Sequence, residues 1–399
     1  MNVILFDRPQ DRVALRPFSD IRPLSHIRLG ITTLLEKWQV VLPGTYSYLT
    51  APYLCSKFPT VAADQNVCIN STLCPNPSLV DAICSLKPHQ QLVQGGTWLA
   101  SVADRARLQV LLNEDALPED RVDFQGSIRR IQNRWDIFLY NAELIWQDWN
   151  QLCSSKAPQP VKDPYTRVYN PAHVFVEPSA AVKAATLNAE AGPIYIGADA
   201  IVHEGAILQG PVALCAGAQV YPGTYLHSAT TVGPYAKVGG ELSHVVIFGY
   251  SNKAHHGFLG HTVVGEWCNL GAGTTTATLK NDYSTIQVWD YLQQNLAMTS
   301  LQFCGACLGD YTKCSIHTML NAGTVVGVSA SLAGAGFHGP FVPSFTYAQP
   351  LRENKRYPLP RALEAADHTM QRRSRSLQAS DQQILTYLFE QSSNDCESV

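Results

Sequence analysis

Residues 196–240 read IGADAIVHEGAILQGPVALCAGAQVYPGTYLHSATTVGPYAKVGG. Stepping by six from Ile196 gives Val202, Leu208, Leu214, Val220, Leu226, Val232 and Val238, all branched aliphatics. Four places after each comes a mostly small residue: Ala200, Ala206, Val212, Ala218, Thr224, Thr230, Ala236, then Leu242. An amphipathic helix needs apolar residues three and four apart, and this phase ignores that spacing. Gly197, Gly210, Pro211, Pro222, Gly223, Gly233 and Pro234 would also break a helix. A six-residue period is the signature of a parallel β-helix, in which each hexapeptide supplies one short strand and a turn. Three hexapeptides make a triangular coil with the aliphatic residue on the axis. One coil cannot bury its own core, so coils must stack.

The period continues through Phe258, Val264 and Leu270, then through Leu308, Cys314, Leu320, Val326 and Leu332. Its phase slips between Val238 and Phe258. The stretch between Thr276 and Leu308 is too long for a turn and is expected to be a loop thrown off the stack. Loops carried on a rigid scaffold are where function concentrates.

The rest of the chain divides around this block. Residues 1–153 are read as a mixed α/β domain, 154–175 as a Pro-rich linker, 176–350 as the β-helix and 351–399 as a C-terminal helical segment with a tail. In the first domain NVILFD (2–7) is a strand candidate, and PSLVDAICSL (77–86) and residues 129–152 have helical phase, the latter with Trp135, Phe138, Leu139 and Ala142 in one stripe. Residues 361–390 are expected to be helical, with Arg372, Arg373 and Arg375 close together.

Composition limits the functional classes. A 46% apolar and 15% charged chain is globular, and a net charge of −3 gives no broad footprint for nucleic acid or a membrane surface. No apolar run approaches the length of a membrane span, and the N-terminus lacks a basic leader, so a cytoplasmic location is expected. The eleven cysteines are expected to be reduced and mostly buried. Cys304 and Cys307 have metal-like spacing, but no second close pair follows, so no metal is expected there.

Four motifs in the periodic block are VGPYAKVGGEL (232–242), SNKAHHGFLG (251–260), VVGEWCNLGAGTTT (263–276) and LKNDYST (279–285). They resemble the acyltransferase domain of the bacterial N-acetylglucosamine-1-phosphate uridylyltransferase/glucosamine-1-phosphate acetyltransferase family. The resemblance covers about residues 196–345 and implies a left-handed coil. It also implies acetyl-coenzyme A as donor, a sugar phosphate or nucleotide sugar as acceptor, and a homotrimer with sites between neighbouring prisms. The stretch LRPFSDIRPLSHIRLGITTLLEKW (15–38) resembles the start of divergent sugar-nucleotidyltransferase-like domains fused to such a coil. Leu15, Pro17, Ser19 and Pro23 keep part of that family's second motif, and Arg16, Asp20 and Arg22 are the candidates to meet a nucleotide. The family's Gly-rich loop is replaced by FDRPQDRVA (6–14), and VCINSTL (67–73) offers Asn70 and Ser71 where a metal-binding aspartate is usual. Mg²⁺ is implied only if this domain transfers nucleotides.

Acyl transfer from a thioester to an amine needs a base with a pKa near neutrality, and donors aimed at the developing oxyanion. The family's base is the histidine five residues before the Gly of Leu-Gly. Counting back from Gly260 gives His255, with His256 as its neighbour. By the same resemblance Asn269 contacts the sugar, and Phe258 stands where a sugar-contacting tyrosine is usual. Lys237 replaces a phosphate-binding arginine, keeping the charge but not the planar fork. Asn281 and Tyr283 match an Asn-Tyr pair near the acetyl donor, and backbone groups of 308–327 line the pantetheine slot. The arginines at 372, 373 and 375 are either a solvated helix face or contacts for a coenzyme A phosphate.

Three other functions stay open on sequence alone. One is a bifunctional enzyme with an active Mg²⁺-dependent nucleotidyltransferase domain. Another is a non-catalytic sugar-nucleotide binder. The third is a zinc hydrase built on the same coil, using some of His203, His227, His255, His256, His261 and His317.

Overall fold

The computed structural model describes residues 1–111, 120–153 and 160–392. The start of the expected linker, 154–159, and the tail from 393 onward lie outside the described residues. The chain forms two compact units. The first comprises Met1–Leu15, Ile21–Ile27 and Thr32–Asn133, and the second Arg16–Asp20, Arg28–Ile31 and Arg134–Val399.

In the first unit, Asn2–Phe6 is the strand expected from its apolar run. Successive side chains leave opposite faces of a strand. Val3 and Leu5 enter one buried cluster with Trp38, Ile69 and Leu99, while Ile4 and Phe6 enter another with Cys68 and Trp98. Both faces are therefore covered, which explains an unbroken apolar run in place of an alternating one. The six-stranded sheet runs in the order Thr45–Leu49, Asn2–Phe6, Asn66–Asn70, Thr97–Ala103, Gln91–Gln94, Arg121–Asp123. Its first three strands are parallel. The chain passes from Asn2–Phe6 to a neighbour on one side and then to a neighbour on the other, so the carboxyl ends of Asn2–Phe6 and Asn66–Asn70 form a topological switch point. The helix Leu34–Val41 starts with a capping box in which the Thr33 hydroxyl accepts from the Glu36 N–H and the Glu36 carboxylate accepts from the Thr33 N–H.

The second unit is a parallel β-solenoid. Ile196 pairs with Leu214, Leu214 with Val232, Val232 with Ile247, Ile247 with Val264, Val264 with Leu308, Leu308 with Val326 and Val326 with Val342. All eight are buried on the axis. A second ladder carries Val182, Val202, Val220, Val238 and Lys253 through consecutive coils. A third carries Leu187, Leu208, Leu226, Leu242 and Leu259. Between Val238 and Lys253 the coil is shorter than three hexads. The step from axial Leu259 to axial Val264 is likewise shorter than a hexad, so the residue that follows Leu242 in its ladder is Leu259, fully buried, and not the expected Phe258, which is half-buried and pairs with Glu241.

The excursion between Thr276 and Leu308 contains an antiparallel hairpin, Gln287–Asp290 with Asn295–Met298. Trp289 anchors it by stacking on Phe341, with ring centroids 4.3 Å apart. The expected helix over 129–152 is interrupted: Arg129–Arg130 is a short strand, followed by helices Asp136–Leu139 and Asn141–Cys153. Of the expected stripe Phe138 is buried and Leu139 is exposed. At the break the buried Asn141 amide takes the Gly30 N–H at 2.6 Å and donates to the Ala229 carbonyl at 2.8 Å. The expected C-terminal helix is two helices, Leu359–Gln371 and Ala379–Gln391. The turn between them begins at Arg372 and is held by the Asp367 carboxylate, which accepts from the Leu377 N–H at 2.9 Å.

Candidate functional site

The two-residue strands of one prism face place functional side chains by simple alternation. In Lys237–Val238, Asn252–Lys253 and Asn269–Leu270 the first residue faces outward and the second inward. Lys237 pairs with Asn252, and Asn252 with Asn269. Parallel stacking thus lines up an ammonium and two amides in consecutive coils. His255 lies at the corner just beyond Asn252–Lys253.

These residues border a cavity of about 370 Å³. Its lining includes Tyr221, Lys237, Asn252, Ala254, His255, Asn269, Leu270, Gly271, Ala272, Ile316, Arg372 and Arg373. No carboxylate is among them. Arg373 reaches the coil by donating from Nη2 to Oδ1 of Asn252 at 2.8 Å, and its Nε is buried with no partner. Burial lowers the Lys237 pKa, and the Arg373 and Arg372 guanidinium groups lower it further. Arg373 is likewise lowered by burial and then by Arg372. The three cations repel one another, and a bound anion would relieve that repulsion. Arg375 sits apart, with its guanidinium 4.9 Å from the Tyr250 ring centre.

Of the residues expected at an acyl-transfer site, the cavity gathers His255, Lys237 and Asn269. Within 308–327, Ile316 lines it. Phe258 lies on a different strand ladder, and its N–H donates to the Thr275 hydroxyl at 3.2 Å. Asn281 and Tyr283 are exposed on the loop excursion, where the Tyr283 carbonyl accepts from Gln302 at 3.0 Å. His256 points elsewhere, its ring 6.3 Å from that of His317. Sequence reasoning missed Arg372 and Arg373 as partners of Lys237. Their cluster was visible, but nothing local connects them to a strand more than a hundred residues earlier.

Of the three nucleotide candidates, Arg16 and Asp20 belong to the second unit and Arg22 to the first. Arg16 and Asp20 form an ion pair at 3.0 Å within the second unit, where the Arg16 guanidinium lies 4.3 Å from the Tyr291 ring centre. Arg22 belongs to the first unit and is buried; its carbonyl accepts from Arg12 at 3.2 Å. The first unit's switch point holds a different set. Asp7 accepts from Arg12 at 2.7 Å, from the Thr50 hydroxyl at 2.6 Å and from the Leu24 N–H at 3.2 Å. Arg12 also donates to the Tyr53 hydroxyl at 2.9 Å. Asp11 pairs with Arg130 at 3.3 Å, and burial raises its pKa in spite of that partner. At the end of the neighbouring strand, Asn70 spends its amide on the Trp98 carbonyl and on Thr72.

Mg²⁺ requires a near-octahedral set of oxygens, usually with one or two free carboxylates. The switch point offers an amide, a hydroxyl and carboxylates already paired with arginine. The residues present do not fit that ion. Among the described residues no group of three or more His, Cys, Asp or Glu is arranged to hold a metal. Cys304, Cys307 and Cys314 are buried thiols whose pKa values burial raises, Cys307 to about 11.

Comparison with known proteins agrees with the resemblance read from the motifs. Residues 3–157 match the family model described as sugar nucleotidyl transferase. The bifunctional protein GlmU of Methanococcus aeolicus is 30% identical over 118 residues, covering 30% of this chain and 27% of that protein. The bifunctional protein GlmU of Methanococcus maripaludis is 31% identical over 114 residues, covering 29% of this chain and 26% of that one. The chain spans about a quarter of the length of these curated relatives. Among solved structures, a hexapeptide transferase family protein from Anaplasma phagocytophilum is 13% identical with a TM-score of 0.19, covering 58% of this chain and 89% of that one. The coil architecture rests on the strand registers themselves. The sequence similarities are thus to a sugar nucleotidyl transferase model and to bifunctional GlmU proteins.

Proposed function

We propose that the solenoid unit transfers an acetyl group from acetyl-coenzyme A to the amine of a phosphorylated sugar. One observation carries this reading: Lys237, Arg372 and Arg373 converge beside His255 in a cavity with no carboxylate among its described lining residues. A sugar alone gives no reason for three cations, whereas a phosphate dianion does. Arg373 also supplies the planar guanidinium that Lys237 lacks. With the phosphate held there, Asn252 and Asn269 offer amides to sugar hydroxyls. His255 takes a proton from the acceptor nitrogen as that nitrogen attacks the thioester carbonyl carbon. The new C–N bond forms, the C–S bond breaks, and the leaving thiolate takes up the proton from His255.

In this reading the protein is a cytoplasmic homotrimer, and Phe258, Asn281 and Tyr283 of one prism complete the cavity of the next. Those three do not line the cavity of their own chain. No helix among the described residues is long and apolar enough to cross a membrane. For the first unit we propose a binding or scaffolding role in place of nucleotidyl transfer, because the carboxylates at its switch point are paired with arginines.

The test is thiol release from acetyl-coenzyme A with a panel of amino-sugar-1-phosphates and their unphosphorylated counterparts. Turnover with a phosphorylated acceptor, lowered by about 10²–10⁴-fold in His255→Gln, is expected. No turnover with any acceptor would remove the proposal. Mg²⁺-dependent formation of a nucleotide sugar from a nucleoside triphosphate would overturn the reading of the first unit. A scattering mass of one 43.8 kDa chain would overturn the trimer.

A further inference from the structure

One residue breaks the rule that the rest of its strand ladder obeys. In the strand Asn252–Lys253 the inward position belongs to a lysine. Val238, Leu270, Cys314 and Leu332 hold the corresponding axial positions in nearby coils. Lys253 is only 1% exposed. Its Nζ donates to the Gly239 carbonyl at 2.9 Å and to the His255 carbonyl at 2.5 Å. In return the Gly239 N–H donates to the Lys253 carbonyl at 2.7 Å. The corner is closed tightly enough that a Cβ on Gly239 would strike the Ala254 carbonyl.

Burial displaces this lysine's ionisation, down to about 8, and among the described residues no carboxylate offsets the cost. A buried cation with only carbonyl partners is less stable than an aliphatic side chain of similar volume. A charge placed at one inward position of an otherwise apolar ladder, directly behind a candidate catalytic group, points to function. The two carbonyls that the ammonium holds belong to successive corners, and one of them is the carbonyl of His255. We propose that Lys253 is a positioning residue: from inside the prism it fixes the His255 backbone and so aims the imidazole into the cavity. The inference rests on the acyl-transfer reading.

The test is Lys253→Met, an apolar replacement of similar length, in the full chain. Acetyl transfer is expected to lose about 10–100-fold in kcat, the effect of a small misplacement of a reacting group. The KM for the phosphorylated acceptor stays within about twofold, because the cations that hold phosphate are untouched. The melting temperature is unchanged or raised. Amide exchange over 254–257 accelerates about tenfold or more while coils remote from this corner keep their protection. Unchanged kcat and exchange in the folded variant overturns the inference. So does a parallel fall in kcat, acceptor affinity and melting temperature, which marks a merely structural residue. If K253M does not fold, Lys253→Gln is judged by the same measurements. If the wild-type protein transfers no acetyl group, the functional reading fails, and the exchange measurement alone decides whether Lys253 holds the His255 corner.

Discussion

Arg373 donates through Nη2 to Oδ1 of Asn252 at 2.8 Å, joining residues 121 positions apart in the chain. The contact seats the turn between the two C-terminal helices on the second of three polar rungs, Lys237, Asn252 and Asn269. It converts a face with one cation into a pocket with three.

Removing those guanidinium groups should therefore act on acceptor binding. Hydrogen bonds between charged groups contribute about 1.5–3 kcal/mol each. Arg373→Ala is expected to raise the KM for the phosphorylated acceptor about tenfold or more, and Arg372→Ala somewhat less. The KM for acetyl-coenzyme A should stay near wild type. Initial-rate kinetics varying each substrate in turn check this. A rise confined to the donor would assign the arginines to coenzyme A.

The buried lysine gives a stability signature in alkali. Its folded pKa of about 8 lies below the ordinary 10.5. Between these values the unfolded chain binds a proton that the folded chain has released, so stability rises with pH across that window. Lys253→Met removes the dependence. The variant's advantage over wild type should be full below pH ~8, on the order of a few kcal/mol, and should vanish near the unfolded value. Urea melts of both proteins across this range measure it.

At the opposite end of the pH scale one contribution comes from His244 and His261, stacked at 4.6 Å with planes 7° apart. Burial, and then His244, lowers His261 to about 4 from the ordinary 6.5, and its Nδ1 is buried without a partner. Protons bind the unfolded chain first as pH falls through that interval, so stability is intact above 6.5 and declines toward 4. His261→Phe keeps the stack with Phe303 and should flatten the decline. Melting temperatures at neutral pH and near the lower value decide it.

Core and surface alternate within single strands, so neighbouring truncations should differ sharply. Leu208 is fully buried on the axis, whereas Ile207 is 40% exposed. Leu208→Ala should cost about 2–5 kcal/mol. Ile207→Ala in the same strand should stay within about 0.5 kcal/mol. Equilibrium denaturation of both variants checks the direction and the gap.

The hexad spacing made the solenoid legible because each axial residue repeats the same packing problem. The spacing failed where one coil shortens between Val238 and Lys253, since a change of phase costs the backbone nothing that composition reveals. A second short step, from Leu259 to Val264, is why Phe258 looked axial and Leu259 did not. His255, Lys237 and Asn269 could be found because short motifs carry them. Arg372 and Arg373 could not, because their meeting with Lys237 depends on a turn between helices that the sequence pattern runs together. The inward direction of Lys253 was hidden by the same change of phase.

Strict alternation along the two-residue strands has an evolutionary corollary. Positions 237, 252 and 269 can be exchanged to suit a new acceptor while 238 and 270 go on filling the axis unchanged. Chemical diversification on such a prism is then largely uncoupled from foldability. Position 253 is the exception, where innovation and robustness compete for one side chain.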